Sequence, residues 1–176
     1  MIYKDKLKFD AATITSSEYE FLSNFAKNNS LKNILEFGTG ASTYSFLEVG
    51  CHVTTFETSR KYIPRMFPEL LTLKECSVIY YNLDSLKSII LKQRFDLAFI
   101  DGPFGKPHLS RIESCLFSIT YTDHLLLHDF KRTGERETLN FIVNKFPSWK
   151  FIQIETSRKM GYLYNFAKVN PLIPVS

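Results

Sequence analysis

The sequence predicts an α/β fold in which a doubly wound, mostly parallel sheet ends in an antiparallel hairpin. Two observations support this prediction. Short apolar or β-branched runs alternate with amphipathic stretches from residue 15 to about residue 146. Two further runs, 149–155 and 161–167, are separated only by a short polar turn, which is typical of a hairpin. The 176 residues fit a single domain, 1–176, with an N-terminal extension and helix over 1–29 and a core over 30–168.

The first elements follow from capping and periodicity. The segment 15–18 has capping-box spacing and opens a predicted helix that ends near Asn28. The apolar run 33–37 is typical of a buried parallel strand. After a glycine-containing turn, a second helix ends at Gly50, and the β-branched run 52–57 predicts the next strand.

The remaining elements repeat this alternation. The predicted helices are 59–66, interrupted by proline, then 85–92, 109–119 and 133–146; the predicted strands are 77–82, 95–100 and 124–128.

Composition narrows the functional classes. Hydrophobic residues make up 44% of the chain and charged residues 23%, which is typical of a soluble globular protein. The net charge of +4 comes from scattered lysines and arginines, so it fits a small anionic substrate at least as well as nucleic acid. We find no signal-peptide pattern and no apolar run near the roughly 18 residues that a membrane span needs. Three widely spaced cysteines without metal-ligand spacing favour a cytoplasmic setting, and the oligomeric state stays open.

The turn after the first strand is the strongest local signal for a ligand site. Gly38 and Gly40 give backbone freedom and leave room for a ligand, and Ser42 or Thr43 would cap the following helix. A glycine turn that leads into a helix N-terminus is a nucleotide-binding arrangement. Glu57 ends the next strand, where an acid would meet a ribose.

Two residues argue against a dinucleotide as the ligand. Thr43 stands where the dinucleotide fingerprint requires glycine or alanine. Glu36, at the end of the strand, would repel a pyrophosphate but would suit a ligand with an ammonium and a sulfonium group. The pattern E-x-G-x-G-x-S over 36–42 resembles the first motif of class I S-adenosylmethionine-dependent methyltransferases. The resemblance implies the class I methyltransferase fold, a Rossmann-like sheet.

Acids at the ends of five successive strands suggest how such a cofactor would be held, because in an open α/β sheet ligands bind beyond the carboxyl ends of the strands. Backbone groups of the turn containing Gly38, Thr39 and Gly40, with Ser42, would hold the cofactor carboxylate. Glu36 would balance its ammonium group and Glu57 would accept hydrogen bonds from the ribose. Asp84 would accept one from the adenine amino group, with Asn82 and Ser85 as alternatives. These roles are expectations from strand order.

The fourth strand and the loop after it resemble the fourth methyltransferase motif. D-G-P-x-G over 101–105, Arg111, and H-D-x-x-R-x-x-E over 128–135 resemble the glucuronoxylan 4-O-methyltransferase group of polysaccharide-modifying enzymes. That resemblance implies O-methylation of a sugar-like or other small anionic acceptor. This chain is shorter than the plant enzymes and shows no membrane anchor, so a glycan precursor or sugar nucleotide fits better than xylan.

The mechanism implied is direct displacement at the sulfonium methyl group, assisted by a general base. Asp101 and Asp129 are the main candidates for the base. His128 is a third candidate, but adjacent strand residues point to opposite faces, so only one of His128 and Asp129 should face the acceptor.

Three basic residues are candidates for binding the acceptor. His108 lies on the loop after the fourth strand. Arg111 and Arg132 would clamp a carboxylate or phosphate, or would instead pair with nearby glutamates.

A bound metal ion and three other functions are the alternatives. Some catechol-type O-methyltransferases hold a divalent cation with two Asp and one Asn at these strand ends; Phe130 replaces the Asn here, so a metal is possible but not favoured. A propylamine transferase would need an acidic polyamine pocket. A non-catalytic domain that binds cofactor or a partner is the rival from another class. Amino-methylation of nucleic acid is disfavoured because Gly102 breaks the required proline motif.

Overall fold

A computed structural model describes residues 3–7, 9, 14–103 and 111–172. In these ranges the strands are β1 (Asn33–Phe37), β2 (His52–Glu57), β3 (Cys76–Tyr80), β4 (Leu97–Ile100), β5 (His124–His128), β6 (Trp149–Ile154) and β7 (Met160–Asn165). The helices are α1 (Ser16–Asn28), α2 (Ala41–Leu47), α3 (Tyr62–Met66), α4 (Leu83–Leu86), α5 (Ile112–Ser118) and α6 (Thr133–Lys145), with 3₁₀ turns at Lys4–Lys6 and Pro68–Leu71.

The strands form one mixed sheet in the order β3-β2-β1-β4-β5-β7-β6. β1 to β5 are parallel to one another. β7 runs antiparallel to β5, and β6 antiparallel to β7. This confirms the predicted doubly wound fold with its antiparallel C-terminal hairpin. The strand order reverses at β1, which has β2 on one side and β4 on the other, and a ligand is expected outside the carboxyl ends of these strands.

The largest departures from the predicted elements lie around β3. The helix predicted over 85–92 is the single turn α4, which begins earlier, at Leu83, because Asn82 caps it there: the Asn82 side chain accepts from Ser85 N at 2.7 Å. The helix predicted over 59–66 begins at Tyr62, and a separate 3₁₀ turn follows from Pro68. Of the helix predicted from Leu109, the structure describes Ile112–Ser118. No helix among the described residues is long and apolar enough to span a membrane.

Both faces of the central parallel strands β1, β4 and β5 are buried, as the apolar runs predicted, whereas the edge strand β3 is half-buried. On one face, Ile34 of β1 packs with Tyr19 and Phe25 of α1. On the other face, Leu35 packs in a second cluster that includes Ile142 of α6. Neighbouring residues of β1 thus serve opposite layers, which fixes the direction of the side chains at its carboxyl end.

The turns after β1 and β4 approach each other closely through glycines. Gly38 has φ +96°, and a Cβ atom added there would lie 2.9 Å from Gly102 N and 3.0 Å from the Asp101 carbonyl carbon. A Cβ added at Gly102 would lie 2.8 Å from Gly38 N. The approach brings the carboxyl ends of β1 and β4 together without an intervening side chain.

This contact predicts unequal effects for two glycine substitutions. Gly50 also has a positive φ, +82°, but a Cβ there would meet nothing within 4 Å. Gly50→Ala should therefore lower the free energy of unfolding by only about 1–2 kcal/mol, the cost of the left-handed conformation. Gly38→Ala adds a clash with backbone and should cost roughly 3 kcal/mol or more. Urea unfolding of both variants tests the difference, and equal losses would show that the close approach is not required.

Candidate functional site

A cavity of about 270 Å³ opens at the carboxyl edge of the sheet, at the point where the strand order reverses. Its walls come from the β1–α2 turn, the ends of β2 to β5, the starts of α5 and α6, the β6–β7 turn and the segment before α1. The lining residues are Ile14, Gly38–Ser42, Phe56–Ser59, Tyr62, Tyr81, Asp101–Pro103, Arg111, Asp129, Arg132 and Arg158.

The glycine turn lines the cavity, but its amides are largely committed within the protein. Gly38 N donates to the carbonyl of Phe56 at 2.9 Å, and Gly40 N donates to Thr43 Oγ1 at 3.0 Å. The Thr39 hydroxyl hydrogen-bonds to Thr55 Oγ1 at 2.8 Å. The expectation that backbone N–H groups of the Gly38 to Gly40 turn hold a ligand carboxylate is therefore corrected for Gly38 and Gly40. The glycines provide a tight turn and space for a ligand beside the backbone.

Glu36 is fully buried and does not line the cavity. Its two carboxylate oxygens accept hydrogen bonds from Ser42 Oγ at 2.6 Å and Thr43 Oγ1 at 2.5 Å. Burial raises the pKa of Glu36 to about 7, although these hydrogen bonds act in the opposite direction. The expected direct contact between Glu36 and a ligand ammonium group is corrected accordingly. Glu36 and Ser42 instead tie β1 to the first turn of α2 and so fix the glycine turn.

Glu57, at the end of β2, lines the cavity beside the glycine turn. Its Oε1 accepts hydrogen bonds from Ser59 N at 2.8 Å and Thr58 Oγ1 at 3.3 Å. These bonds hold the carboxylate in one orientation at the cavity wall. A carboxylate so placed is able to accept hydrogen bonds from a pair of neighbouring hydroxyl groups on a ligand.

Asp84 does not reach the cavity. Its side chain is exposed on α4, the short helix that Asn82 caps after β3, and it is not part of the cavity lining. Tyr81 lines this end of the cavity instead and packs edge-on against Phe56, with ring centroids 5.6 Å apart. The expected polar partner for a ligand base is replaced here by an aromatic wall.

His128, at the end of β5, is fully buried between two carboxylates. Its Nδ1 lies 2.9 Å from Asp101 Oδ1, and its Nε2 lies 3.3 Å from Glu18 Oε2. Burial alone would lower the pKa of His128, but Asp101 and Glu18 raise it to about 9. His128 is therefore charged at neutral pH and is not part of the cavity lining, which corrects its candidacy as a general base.

Asp129, the neighbour of His128, does line the cavity. It has φ 58°, a left-handed conformation that Asp adopts more readily than most residues. The Asp129 carboxylate pairs with Arg132 Nη2 at 2.8 Å. The adjacent residues thus face different surroundings, and only Asp129 faces the cavity.

Asp101 and Asp129 share a buried arginine. Arg111, which is 3% exposed, places Nη2 3.0 Å from Asp101 Oδ1 and 3.5 Å from Asp129 Oδ2. Burial acts to raise the pKa of Asp101, but the positive charges of His128 and Arg111 lower it overall. Asp101 is therefore ionised at neutral pH, and Arg111 holds both carboxylates in place.

The basic groups at the cavity differ in accessibility. Arg132 is 47% exposed and Arg158, in the β6–β7 turn, is partly exposed, whereas Arg111 is buried. All three line the cavity. His108, the other expected acceptor-binding residue, lies outside the described residues.

Sequence reasoning missed two residues that line the cavity, Arg158 and Tyr81, and one buried residue behind it, Glu18. The sequence predicted Glu18 only as part of the capping box of α1, and the structure shows that capping box. Glu18 also accepts a hydrogen bond from Arg158 N at 2.9 Å and pairs with His128. Arg158 read only as part of a polar turn. No local sequence signal indicates a contact between residues so far apart in the chain. Tyr81 fell inside the predicted strand 77–82, whereas the observed strand β3 ends one residue before it.

The raised pKa of His128 predicts a pH dependence of stability. Because the folded pKa is about 9 and the ordinary value is 6.5, this stabilisation is complete below pH 6.5 and is lost as pH rises through 9. Between pH 7 and 9 the loss should be about 2 kcal/mol, measured by urea unfolding. Glu36, whose stabilising neutral form is lost between pH 4.5 and 7, titrates below this window.

His128→Asn should abolish this decline, while the control His52→Asn, which changes an exposed histidine, should retain it. A slope that persists in His128→Asn would contradict the assignment.

No protein-family model matches the chain, and no curated protein matches it in sequence. Solved structures do match it. An O-methyltransferase from Bacillus cereus in complex with S-adenosylhomocysteine superposes with TM-score 0.69 at 17% identity, covering 93% of this chain and 87% of that one. A Podospora anserina methyltransferase bound to S-adenosylhomocysteine gives TM-score 0.71 at 15% identity, covering 93% and 84%. A protein from Pyrococcus horikoshii, provisionally assigned as an RNA methyltransferase, gives 0.70 at 15% identity, covering 96% of each chain.

Sequence identities of 15–17% support a shared fold but do not identify the substrate. Together with the strand order and the reversed last strand, these neighbours show that the chain has the class I methyltransferase fold.

Proposed function

We propose that this protein is an S-adenosylmethionine-dependent O-methyltransferase acting on a small anionic acceptor. The observation that carries the proposal is one cavity whose walls hold the glycine turn, the ordered carboxylate of Glu57 and the carboxylates of Asp101 and Asp129, which share Arg111. This cavity lies where the fold is expected to bind its ligand. The solved neighbours that carry S-adenosylhomocysteine support the same cofactor.

The cofactor would lie between the glycine turn and the end of β3. Glu57 would accept hydrogen bonds from the ribose hydroxyls, and the aromatic pair Phe56 and Tyr81 would pack against the adenine. When bound, S-adenosylmethionine supplies an electrophilic methyl group. Glu36, through Ser42 and Thr43, would keep the turn in the shape that admits the cofactor.

The acceptor would enter on the side of Asp101 and Asp129. In the reaction the acceptor oxygen forms a bond to the methyl carbon, the carbon–sulfur bond breaks, and the acceptor proton passes to a carboxylate. Asp129 is the better candidate for the base, because Asp101 Oδ1 is held by two buried cations, His128 at 2.9 Å and Arg111 at 3.0 Å, whereas the nearest partner of Asp129 is the half-exposed Arg132. Holding both reactants in line supplies much of the rate, and a positioned base adds roughly 10²–10⁴-fold.

The acceptor should carry a negative charge. Arg132 and Arg158 line the cavity near Asp129, and guanidinium groups bind carboxylate and phosphate groups bidentately. The resemblance to the glucuronoxylan group makes uronic acids, sugar nucleotides and other glycan precursors the first acceptors to test. A cytoplasmic setting suits the three free, buried cysteines.

The alternatives fit this cavity less well. A propylamine transferase would place its polyamine in an acidic pocket, whereas three arginines line this one. A non-catalytic, cofactor-binding domain would not need two carboxylates held by buried cations, since burying charged groups is costly. Direct assays of binding and transfer separate these possibilities.

Calorimetric titration with S-adenosylmethionine and S-adenosylhomocysteine tests the cofactor site. Glu57→Gln should raise Kd at least tenfold, because the lost charged hydrogen bonds are each worth about 1.5–3 kcal/mol. Asp84→Asn is the matched control, an exposed acid after the neighbouring strand, and should change Kd by less than about twofold. Absence of binding to well-folded protein would refute the proposed function, and equal effects of the two variants would refute the assignment of Glu57.

Transfer assays with uronic acids and sugar nucleotides test the acceptor side. Asp129→Asn should lower kcat by about 10²–10⁴-fold while the Kd for S-adenosylhomocysteine stays within a fewfold of wild type. Arg132→Gln should raise KM for charged acceptors, whereas Lys131→Gln should not, since Lys131 points to the carbonyl of Ser157 rather than into the cavity. A preference for neutral acceptors in the wild type would contradict the anionic assignment.

A further inference from the structure

Three side chains with metal-ligating chemistry meet at the ends of β4 and β5. One ligand atom from each of Asp101, His128 and Asp129 lies within 4.8 Å of the others. Two of these residues occupy the strand ends at which catechol-type enzymes hold a divalent cation. Asp101, His128 and Asp129 are therefore the candidate metal site of this protein.

The residues do not fit a metal ion, because the space between the two carboxylates is taken. Arg111 Nη2 bridges Asp101 Oδ1 at 3.0 Å and Asp129 Oδ2 at 3.5 Å. His128 has each ring nitrogen directed at a carboxylate, Nδ1 toward Asp101 and Nε2 toward Glu18. Phe130 offers no ligand atom where an amide would be needed.

Arg111 is held in this position by the rest of the cluster. Its Nη1 donates to the carbonyl of His128 at 3.0 Å, and its Nε lies 3.7 Å from Glu135 Oε1. The side chain is 3% exposed, so displacing it would leave buried carboxylates without a counter-charge. A guanidinium is permanently charged and has several donors in a fixed plane, which suits it to bridging two carboxylates.

The charges of the cluster are close to balanced without another cation. Four carboxylates, those of Glu18, Asp101, Asp129 and Glu135, lie within 4 Å of the cationic groups of Arg111, His128 and Arg132. Arg158, at the cavity wall, adds a further positive charge that acts on Asp101. A divalent ion placed here would have to displace Arg111 or leave an excess of positive charge.

We infer that the guanidinium of Arg111 is the built-in cation of this cavity, replacing a divalent metal ion and orienting Asp101 and Asp129 toward the acceptor. The inference about the cation stands on the ion-pair geometry alone. Its consequence, that methyl transfer proceeds without added metal, rests on the proposed function. Arg111 is a positioning residue in this scheme, because it acts through the two carboxylates.

Manganese binding tests the inference directly. Protein dialysed against EDTA is titrated with Mn²⁺, and the free ion is followed by electron paramagnetic resonance while thermal unfolding is measured in parallel. Wild type should leave the Mn²⁺ signal undiminished, and its unfolding midpoint should move by less than about 1 °C, since saturating binding would raise it by roughly 5–10 °C. Stoichiometric Mn²⁺ binding by wild type that is lost in Asp101→Asn would overturn the inference.

Arg111 variants provide the complementary test. Arg111→Ala should be less stable than wild type, and Mn²⁺ should restore several degrees of its unfolding midpoint by taking the vacated position. Arg94→Ala is the control, because Arg94 is an exposed arginine paired with Asp123, and Mn²⁺ should not stabilise it. If Arg111→Ala does not fold, Arg111→Lys is the second variant. It keeps a positive charge, so it should fold, and Mn²⁺ should neither bind to it nor change its unfolding midpoint. A folded Arg111→Ala that Mn²⁺ does not stabilise, or an Arg111→Lys that binds Mn²⁺, counts against the inference.

Titration of the same wild-type samples with S-adenosylhomocysteine separates the two proposals. EDTA should change its Kd by less than about twofold. If S-adenosylhomocysteine does not bind at all, the proposed function fails while the manganese result still decides the role of Arg111.

Discussion

The buried charge cluster centred on Asp101 is the interaction on which the cavity depends. Asp101 receives a hydrogen bond from His128 and another from Arg111, and each of these cations contacts further carboxylates. The cluster joins α1, β4, β5 and the start of α6 through groups that have little access to water. Desolvating so many charges is costly, and the cost is offset only while all partners keep their geometry. The positions of the cavity walls therefore depend on one another, because displacing one charged group would leave the others without partners.

The second constraint is the close approach of the turns that follow β1 and β4, where two glycines leave no side chain between the backbones. Gly38 and Gly102 let two strand ends approach backbone to backbone, and the amide of Asp101 donates to the carbonyl of Phe37 at 2.8 Å. This places Asp101 directly beside the glycine turn. The proximity of the glycine turn to Asp101 thus follows from the backbone contact, and the charge cluster then orients the carboxylates of Asp101 and Asp129.

The sequence predicted the fold and the location of the cavity because both depend on local patterns. Apolar runs, the glycine turn and the terminal hairpin were readable one segment at a time, and parallel strands bring their ends to the same edge. The state of individual side chains was less predictable. Glu36, Asp84 and His128 all lie at or near the predicted strand ends, but no local pattern indicates their surroundings. Glu36 is buried, Asp84 is exposed on a helix that Asn82 caps, and His128 lies between two carboxylates. Arg111 was identified, but its partners lie on three other elements, so its role required the tertiary structure.

The cap of α1 has a consequence for how the chain matures on the ribosome. Thr15 Oγ1 hydrogen-bonds to Ser157 Oγ at 2.8 Å, and Glu18 accepts from the backbone of Arg158, a contact across 140 positions of sequence. Helix α1 therefore lacks these two partners until the turn between β6 and β7 has been synthesised. Contacts of such separation form late and slow folding. We expect nascent chains that end before β6 to leave Glu18 and His128 without their enclosing wall, so that the ligand cavity is completed only after the C-terminal hairpin has been released.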